Sequence, residues 1–283
     1  MDALSYPQEN YFPAARDWTT VSPAKPEPEN TSYVRVDARL AAIENLKTLT
    51  GLKGISIGRA NQENLEFIRF FRDLTCVRLT AGRFTNLVPL RELPRLETLE
   101  LDDPPTFAGL DQLQGLRCLV LRHFRRIRSL DPLARLTGLR AISMSMIPSW
   151  DASRRCLEVE TLQPLSTLRE LESLALLGVK PLDGRLDPLY SLAGLKYLHI
   201  SHEFQFQLED YAALARSLPN ASGHCLAPYY QLPQLSLRCK RCGGELLFLT
   251  GPRPRTRHRL CGICDAQKLA EHERHWNELA RPR

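Results

Sequence analysis

Apolar residues recur along this chain at every third position and close each time on a pair spaced by two. Leu46, Leu49, Leu52, Ile55 and Ile57 form one such unit, and Ile68, Phe71, Leu74, Val77 and Leu79 form the next. Leu87, Leu90, Leu93, Leu96, Leu99 and Leu101 form a third. The first residues of the closing pairs are Val34, Ile55, Val77, Leu99, Leu119, Ile142, Leu174 and Leu198, at intervals of 21, 22, 22, 20, 23, 32 and 24. A pattern repeating with this period restricts the chain to an array of similar units.

A spacing of two sends both side chains to one face of a short strand, whereas a spacing of three matches the 3₁₀ turn, in which i and i+3 eclipse. Each unit is therefore expected to be a strand followed by a tight helical turn. Neither half buries its apolar side alone, so the units stack, the strands pair in parallel and the leucines fill one continuous interior. At roughly 1.5–3 kcal/mol for each fully buried Leu or Ile, the apolar set of one unit outweighs local propensity. Amphipathic α-helices with a leucine stripe are the competing reading. They would alternate threes with fours, and Pro89, Pro94, Pro132, Pro164 and Pro188 fall inside the stripe, where a longer helix kinks or breaks.

On these residues the chain resembles the leucine-rich-repeat superfamily over about residues 32–202, and its units are most similar to the roughly 22-residue bacterial type found in internalins. The resemblance implies an α/β solenoid, a curved array with a parallel β-sheet on its concave side and short 3₁₀ or helical segments on its convex side. It also implies a protein partner on the concave face. The usual Asn two or three residues after the strand is missing, its place taken by Ala60, Gly82, Pro104, Phe124 and Ile147, so less regular turns are expected. The secretion of internalins is not carried over. The first residues hold no basic start followed by an apolar core, and no stretch approaches the length of apolar sequence that spans a membrane. A cytoplasmic location without membrane contact is the expectation.

Within each strand, the residues alternating with the buried pair point outward onto the concave sheet. That assigns Arg78 and Thr80, then Thr98, Glu100 and Asp102, then Val120 and Arg122, then Ser143 and Ser145, then Tyr197 and His199 to this face. Arg78, Thr80, Glu100, Asp102, Arg122, Tyr197 and His199 are the candidate partner contacts. Arg78 and Arg122 flank the acidic pair, which either neutralises itself or offers charge complementarity. The interval of 32 holds an insertion, MIPSWDASRRCLEVE, expected to bulge onto the rim. Trp150, Arg154 and Arg155 are its candidate anchors, with packing of Trp150 on the solenoid as the alternative.

A stacked array exposes its ends, so caps are needed. Residues 1–31, with Tyr11, Phe12 and Trp18 ahead of SPAKPEPEN, read as an N-terminal cap or a flexible segment. Residues 203–235 read as a helical cap and linker, with Tyr211, Leu214, Ala215 and Leu218 on one helix face and Pro219 ending it.

Residues 236–283 carry the most specific chemical signal. Cys76, Cys118, Cys156 and Cys225 are single, whereas Cys239, Cys242, Cys261 and Cys264 follow the pattern C-x2-C-x18-C-x2-C. Paired spacing without a secretory signal points to a metal rather than to a disulfide framework. Four thiolates complete a tetrahedral shell for structural Zn²⁺ and leave no open position for substrate. Redox-active dithiols are the competing reading. The ELLFLT and RTRHRL runs, joined by Gly251 and Pro252, fit a β-hairpin, and the arrangement resembles a zinc ribbon over residues 236–265. A closing helix with Leu269, Trp276 and Leu279 follows, and His258, His272 and His275 are expected on the surface. Arg253, Arg255, Arg257 and Arg259 alternate along the hairpin as candidate phosphate contacts, but no aromatic residue interleaves among them to stack on bases.

The excess charge sits in this tail. The formal net charge is +6; residues 236–283 hold 11 Lys+Arg against 5 Asp+Glu, and the rest balances at 27 against 27. A neutral array argues for a protein partner, and the basic ribbon keeps a nucleic acid as the alternative. No phosphate loop, nucleophile elbow or dinucleotide fingerprint appears, so an enzyme is not expected. A bacterial effector acting through a cysteine such as Cys156 is a third reading. The reading carried forward is a non-catalytic protein-binding module or adaptor with a structural zinc.

Overall fold

The computed structural model describes residues 19–20, 32–37, 46, 49, 51–146, 156–201, 206–231, 237–252 and 259–281. The repeat region supplies β1 (Thr19–Thr20), β2 (Tyr33–Asp37), β3 (Gly54–Gly58), β4 (Cys76–Thr80), β5 (Thr98–Asp102) and β6 (Cys118–Arg122). It continues with β7 (Ala141–Ser145), β8 (Leu157–Val159), β9 (Ser173–Leu177), β10 (Val179–Pro181) and β11 (Tyr197–Ile200). β1 to β7, β9 and β11 pair in that order into a nine-stranded sheet, and every ladder in it is parallel.

The register is the one the apolar period demands. Val34, Ile55, Val77, Leu99, Leu119, Ile142, Leu174 and Leu198 stand side by side across eight strands. A second row two residues on runs from Val36 through Ile57, Leu79, Leu101, Leu121, Met144 and Leu176 to Ile200. Both rows are buried in one core. A slip of one residue would turn both to the opposite face, so the leucines themselves fix the pairing.

Opposite the sheet lie 3₁₀ turns at Val88–Glu92, Leu110–Gln112, Asp131–Arg135, Gln163–Thr167 and Asp187–Ser191. Pro89, Pro132, Pro164 and Pro188 begin four of them. At a helix start the missing N–H has no partner to lose and the ring presets φ. The unit after β3 differs, since Gln62–Ile68 is an α-helix, α1. It contains no proline, and Asn61 and Asn64 cap each other through side chain and backbone at 2.8 and 3.0 Å. The chain is thus a leucine-rich-repeat solenoid of the α/β class, with the parallel sheet on its concave side.

The turns are more regular than the missing Asn suggests. Arg59, Ala81, Asp103 and His123 each follow a strand directly and each hold φ between 48° and 54°. That left-handed conformation costs a residue with a Cβ roughly 1–2 kcal/mol. Stacking imposes it: the N–H groups of these residues donate to Thr80, Asp102, Arg122 and Ser145 carbonyls of the following unit at 2.6–3.0 Å. Gly178, at the same position after β9, has φ of 68°.

Of the insertion, residues 147–155 lie outside the described residues. Its last residues do not bulge, because β8 pairs in parallel with β10 as a second small sheet and buries Leu157 and Val159. At the back of the array α2 (Leu208–Ser217) buries Leu208, Tyr211, Ala212 and Leu214. The buried face is rotated slightly from the expected one, leaving Ala215 half-buried. Beyond it Ser222 runs alongside Tyr197 of β11 in a parallel bridge, and Leu198 N donates to Ser222 O at 2.9 Å. Gly223 permits this approach, since a Cβ there would lie 1.9 Å from Leu198 O. No described helix is long and apolar enough to cross a membrane.

Candidate metal centre and concave face

The C-terminal module is built on three antiparallel strands, β12 (Tyr229–Tyr230), β13 (Leu246–Leu249) and β14 (Arg259–Cys261). β13 and β14 are the expected hairpin; β12 comes from the segment read as a linker. α3 (Ala266–Ala280) follows and places Trp276 in the same core as the repeats, with Leu279 and Ala280 against it. Arg216 of α2 donates to Leu279 O at 3.0 Å. His272 is not the surface residue expected, because it is half-buried and its Nε2 donates to Pro228 O at 2.8 Å.

The hairpin and the turn into α3 bring all four paired cysteines together. Their Sγ atoms lie within 4.8 Å of one another, with Cys242 and Cys261 at 3.4 Å and Cys239 and Cys264 at 3.9 Å. A tetrahedral metal with sulfur at about 2.3 Å needs S···S edges of roughly 3.8 Å, so the quartet fits a single ion. None of the eight cysteines is in a disulfide. Gly244 N donates to Cys242 Sγ and Cys264 N to Cys261 Sγ, each at 3.4 Å. A Cβ at Gly244 would press to 3.2 Å from both Cys242 Sγ and Cys261 Sγ, so a side chain would crowd the sulfurs at this position.

The backbone N–H groups of Arg241 and Cys242 lower the Cys239 thiol to about 6. Cys264 is pushed up to about 12, first by its hydrogen bond with Cys242 and then by desolvation. The four sulfurs form one close set. A cation held among them stabilises the thiolate form of every member, which is the ligating form. The single cysteines have no such setting. Burial pushes Cys76 and Cys225 up to about 12 and Cys118 higher still, which makes them poor nucleophiles. Cys156 is half-buried just ahead of β8.

On the concave face the register lines up Ser56, Arg78, Glu100, Val120, Ser143, Ala175 and His199 in one row. Arg78 Nε donates to Glu100 Oε2 at 2.6 Å. Arg122 Nε lies 3.1 Å from Glu100 Oε1, an ion pair whose N–H is not aligned as a hydrogen bond. Two guanidiniums therefore share one buried carboxylate. Asp102 Oδ1 accepts from His123 Nδ1 at 2.8 Å, and Thr80 is half-buried beside it in the sheet. Cys118, Val120 and Ala141 form a small apolar cluster separate from the main core. Tyr197 is half-buried and its phenol is raised by burial, whereas His199 is buried and lowered to about 4 by desolvation and by His224.

Trp150, Arg154, Arg155, Arg253, Arg255 and Arg257 lie outside the described residues, as do Tyr11, Phe12, Trp18 and His258. Arg259 is described and exposed, and its guanidinium lies 5.5 Å from the Phe248 ring centroid. It belongs to a row of rings the sequence reading missed. His199 meets His224 edge-on at 5.9 Å, His224 meets Tyr230 at 5.0 Å, and Tyr230 stacks on Phe248 at 5.5 Å with planes 15° apart. The pairing of ELLFLT with RTRHRL could have set Phe248 beside Arg259. Tyr230 carried no such signal, since β12 is two residues long.

Fold and site together define a leucine-rich-repeat array closed by a module whose four cysteines could hold a metal ion. No family model and no curated protein matches the chain. Among solved structures it is similar to internalin C2 of Listeria monocytogenes, 22% identical over 64% of this chain and 73% of that one, with a TM-score of 0.45. It is also similar to internalin F of the same organism, 19% identical over 63% of this chain and 55% of that one, TM-score 0.46. A leucine-rich-repeat protein of Leptospira interrogans is 17% identical over 63% of this chain and 50% of that one, TM-score 0.37. The chain thus spans about half the length of the last two.

Proposed function

We propose that this chain is a non-catalytic protein-binding module that receives a protein partner on its concave face. The observation that carries the reading is the charge cluster at its centre. Glu100 is buried and shared by Arg78 and Arg122, and Arg122 is 37% exposed at the side chain. A carboxylate from a partner would meet Arg122 there, next to the buried Val120, Ser143 and Ala175 of the Glu100 row. Tyr197 and His199 stand on the last strand of this sheet, and Thr80 and Asp102 lie beside the cluster; Trp150, Arg154 and Arg155, outside the described residues, are proposed as further partner contacts.

The experiment is affinity capture with the full chain, comparing wild type with Arg78→Glu plus Arg122→Glu and with Arg95→Glu at an exposed site away from the sheet. Thermal melts accompany each variant to confirm folding. The partner is expected to be lost from the concave variant alone. Retention by a folded concave variant, or equal loss from both, contradicts the reading.

For the cysteine quartet we propose a structural Zn²⁺ held by Cys239, Cys242, Cys261 and Cys264 in a zinc ribbon. Four sulfurs in tetrahedral reach select zinc or an iron–sulfur cluster among biological metals, and a closed shell leaves no position for chemistry. Thiols kept reduced for metal accord with a cytoplasmic location. One equivalent of zinc in colourless protein is the expected metal analysis; iron with visible absorption, or no tightly held metal, contradicts it.

A further inference from the structure

We propose that the edge of the large sheet at the carboxyl ends of its strands, where Arg83, Arg125 and Arg126 stand, receives an acidic segment of a protein partner. β4 ends at Thr80, β5 at Asp102 and β6 at Arg122, and these three residues stand side by side. The turn that follows begins each time with a left-handed residue, Ala81, Asp103 or His123, so Arg83, Pro105 and Arg125 occupy equivalent places in successive units. The turn after β6 is held from within. Phe124 is buried against Phe107, with ring centroids 5.5 Å apart, and Ile127 N donates to Phe124 O at 3.1 Å. The two residues after that buried ring, Arg125 and Arg126, are exposed. In the turn after β4, Arg83 N donates to Ala60 O at 2.6 Å, and Arg83 is likewise exposed.

Elsewhere on the array exposed arginines meet carboxylates. Arg95 pairs with Asp73 at 2.7 Å, Arg117 with Glu170 at 3.5 Å, Arg128 with Glu158 at 3.3 Å and Arg140 with Glu172 at 3.9 Å. Arg83, Arg125 and Arg126 meet none among the described residues. Arg83 and Arg125 stand two strand spacings apart, about 10 Å, and an extended chain covers that distance in three residues at roughly 3.3 Å each. A segment laid along the edge therefore brings carboxylates three residues apart to both cations. The edge is mixed in sign, since Asp102 is bonded to His123 and Asp103 and Glu63 are exposed. Spaced carboxylates on a polypeptide fit such an edge better than a nucleic-acid backbone, which carries a charge at every phosphate. The array also supplies no net positive field, with 27 Lys+Arg against 27 Asp+Glu outside residues 236–283. This inference goes beyond the concave-face reading, because none of the three arginines lies within a strand of the sheet; Arg122, the last residue of β6, joins the two surfaces.

The test uses the full chain and fluorescence anisotropy at 20 mM salt with a labelled 12-residue glutamate peptide, a glutamine peptide of equal length and a thymidine 12-mer. The glutamate peptide is expected to bind and the glutamine peptide to stay free. Raising the salt to 150 mM should weaken the complex, because exposed charges are screened. Arg83→Gln, Arg125→Gln and Arg126→Gln combined should weaken binding about 3- to 150-fold, the equivalent of about 0.6–3 kcal/mol over three exposed ion pairs. Control variants should bind as wild type does: Arg72→Gln removes an exposed cation elsewhere on the array, and Lys240→Gln plus Arg259→Gln removes exposed cations from the C-terminal module. Thermal melts confirm that each variant folds. No binding of the glutamate peptide, equal binding of the glutamine peptide, wild-type affinity in the triple variant, or an equal loss in either control would each overturn the proposal. Edge-dependent binding of the thymidine 12-mer at least as tight as that of the glutamate peptide would overturn it as well, by assigning the edge to a nucleic acid.

Discussion

In the repeat array, β3 to β7 and β9 each bury the apolar pair of the strand completely or nearly so, and a neighbour on either side supplies the cover. In the module, Leu246–Leu249 of β13 are all only half-buried, and the well-buried residues are few: Cys239, Thr250, Leu260, Cys261, Leu269 and Trp276. The array spreads its stability over many equivalent contacts. If the four sulfurs hold the proposed metal, the module, too small to build a core, concentrates its stability there and in the docking of Trp276 onto the array.

The largest expected effect sharpens that contrast. Cys261→Ser should abolish metal binding and with it an apparent contribution of about 10–16 kcal/mol to the module's folding. The measurement is metal content together with the amide protection of β13 and β14. A variant that keeps the hairpin without metal would break the comparison.

Next comes the array. Leu119 is fully buried between Leu99 and Ile142, so Leu119→Ala should cost about 2–5 kcal/mol in denaturant unfolding. Metal content should stay at one equivalent, because the leucine row and the sulfurs are separate sources of stability. Metal loss in this variant would show that they are not.

A third effect lies at the junction. His199 is buried on the last strand against His224, and its pKa is lowered from 6.5 to about 4. The folded protein keeps it neutral while the unfolded chain takes up a proton below pH 6.5. Its contribution is therefore fully present above pH 6.5 and is lost progressively toward pH 4, by about 3 kcal/mol. His199→Gln should flatten stability over that window. Acid also releases metal through the cysteines, but both proteins share that slope, so their difference isolates the imidazole. An unchanged difference between pH 7 and pH 4 would contradict it.

The smallest effect is on the surface. Arg95 and Asp73 pair at 2.7 Å between neighbouring units, but both side chains are about half exposed or more. Asp73→Ala should change stability by less than about 1 kcal/mol, within the range of exposed pairs. A larger loss would mean that rim ion pairs, and not only leucines, hold the units together.

How much of this was legible follows from the same contrast. Val34, Ile55, Val77, Leu99, Leu119, Ile142, Leu174 and Leu198 were recognisable because period and burial coincide in a repeat, and their register is as read. The cysteine spacing was equally plain, since two C-x2-C turns are local. Irregular features were not. β8 and β10 pair across residues 157–181 without a periodic signal, and α1 replaces a 3₁₀ turn through a cap of two asparagines. The row from His199 to Arg259 joins residues sixty positions apart through contacts that only tertiary packing creates. The shared carboxylate of Glu100 was visible as an alternation of charge, but whether Arg78 and Arg122 both reach it depended on side-chain geometry.

Hydrogen exchange of the loaded and chelated protein compares the two regions in a single experiment. On chelation the amides of Leu246–Leu249 and Arg259–Cys261 should lose protection, while those of Val77, Leu99, Leu119 and Ile142 keep theirs. Protection that survives in the hairpin, or that disappears from the leucine rows as well, would contradict a metal-held module on a self-supporting array.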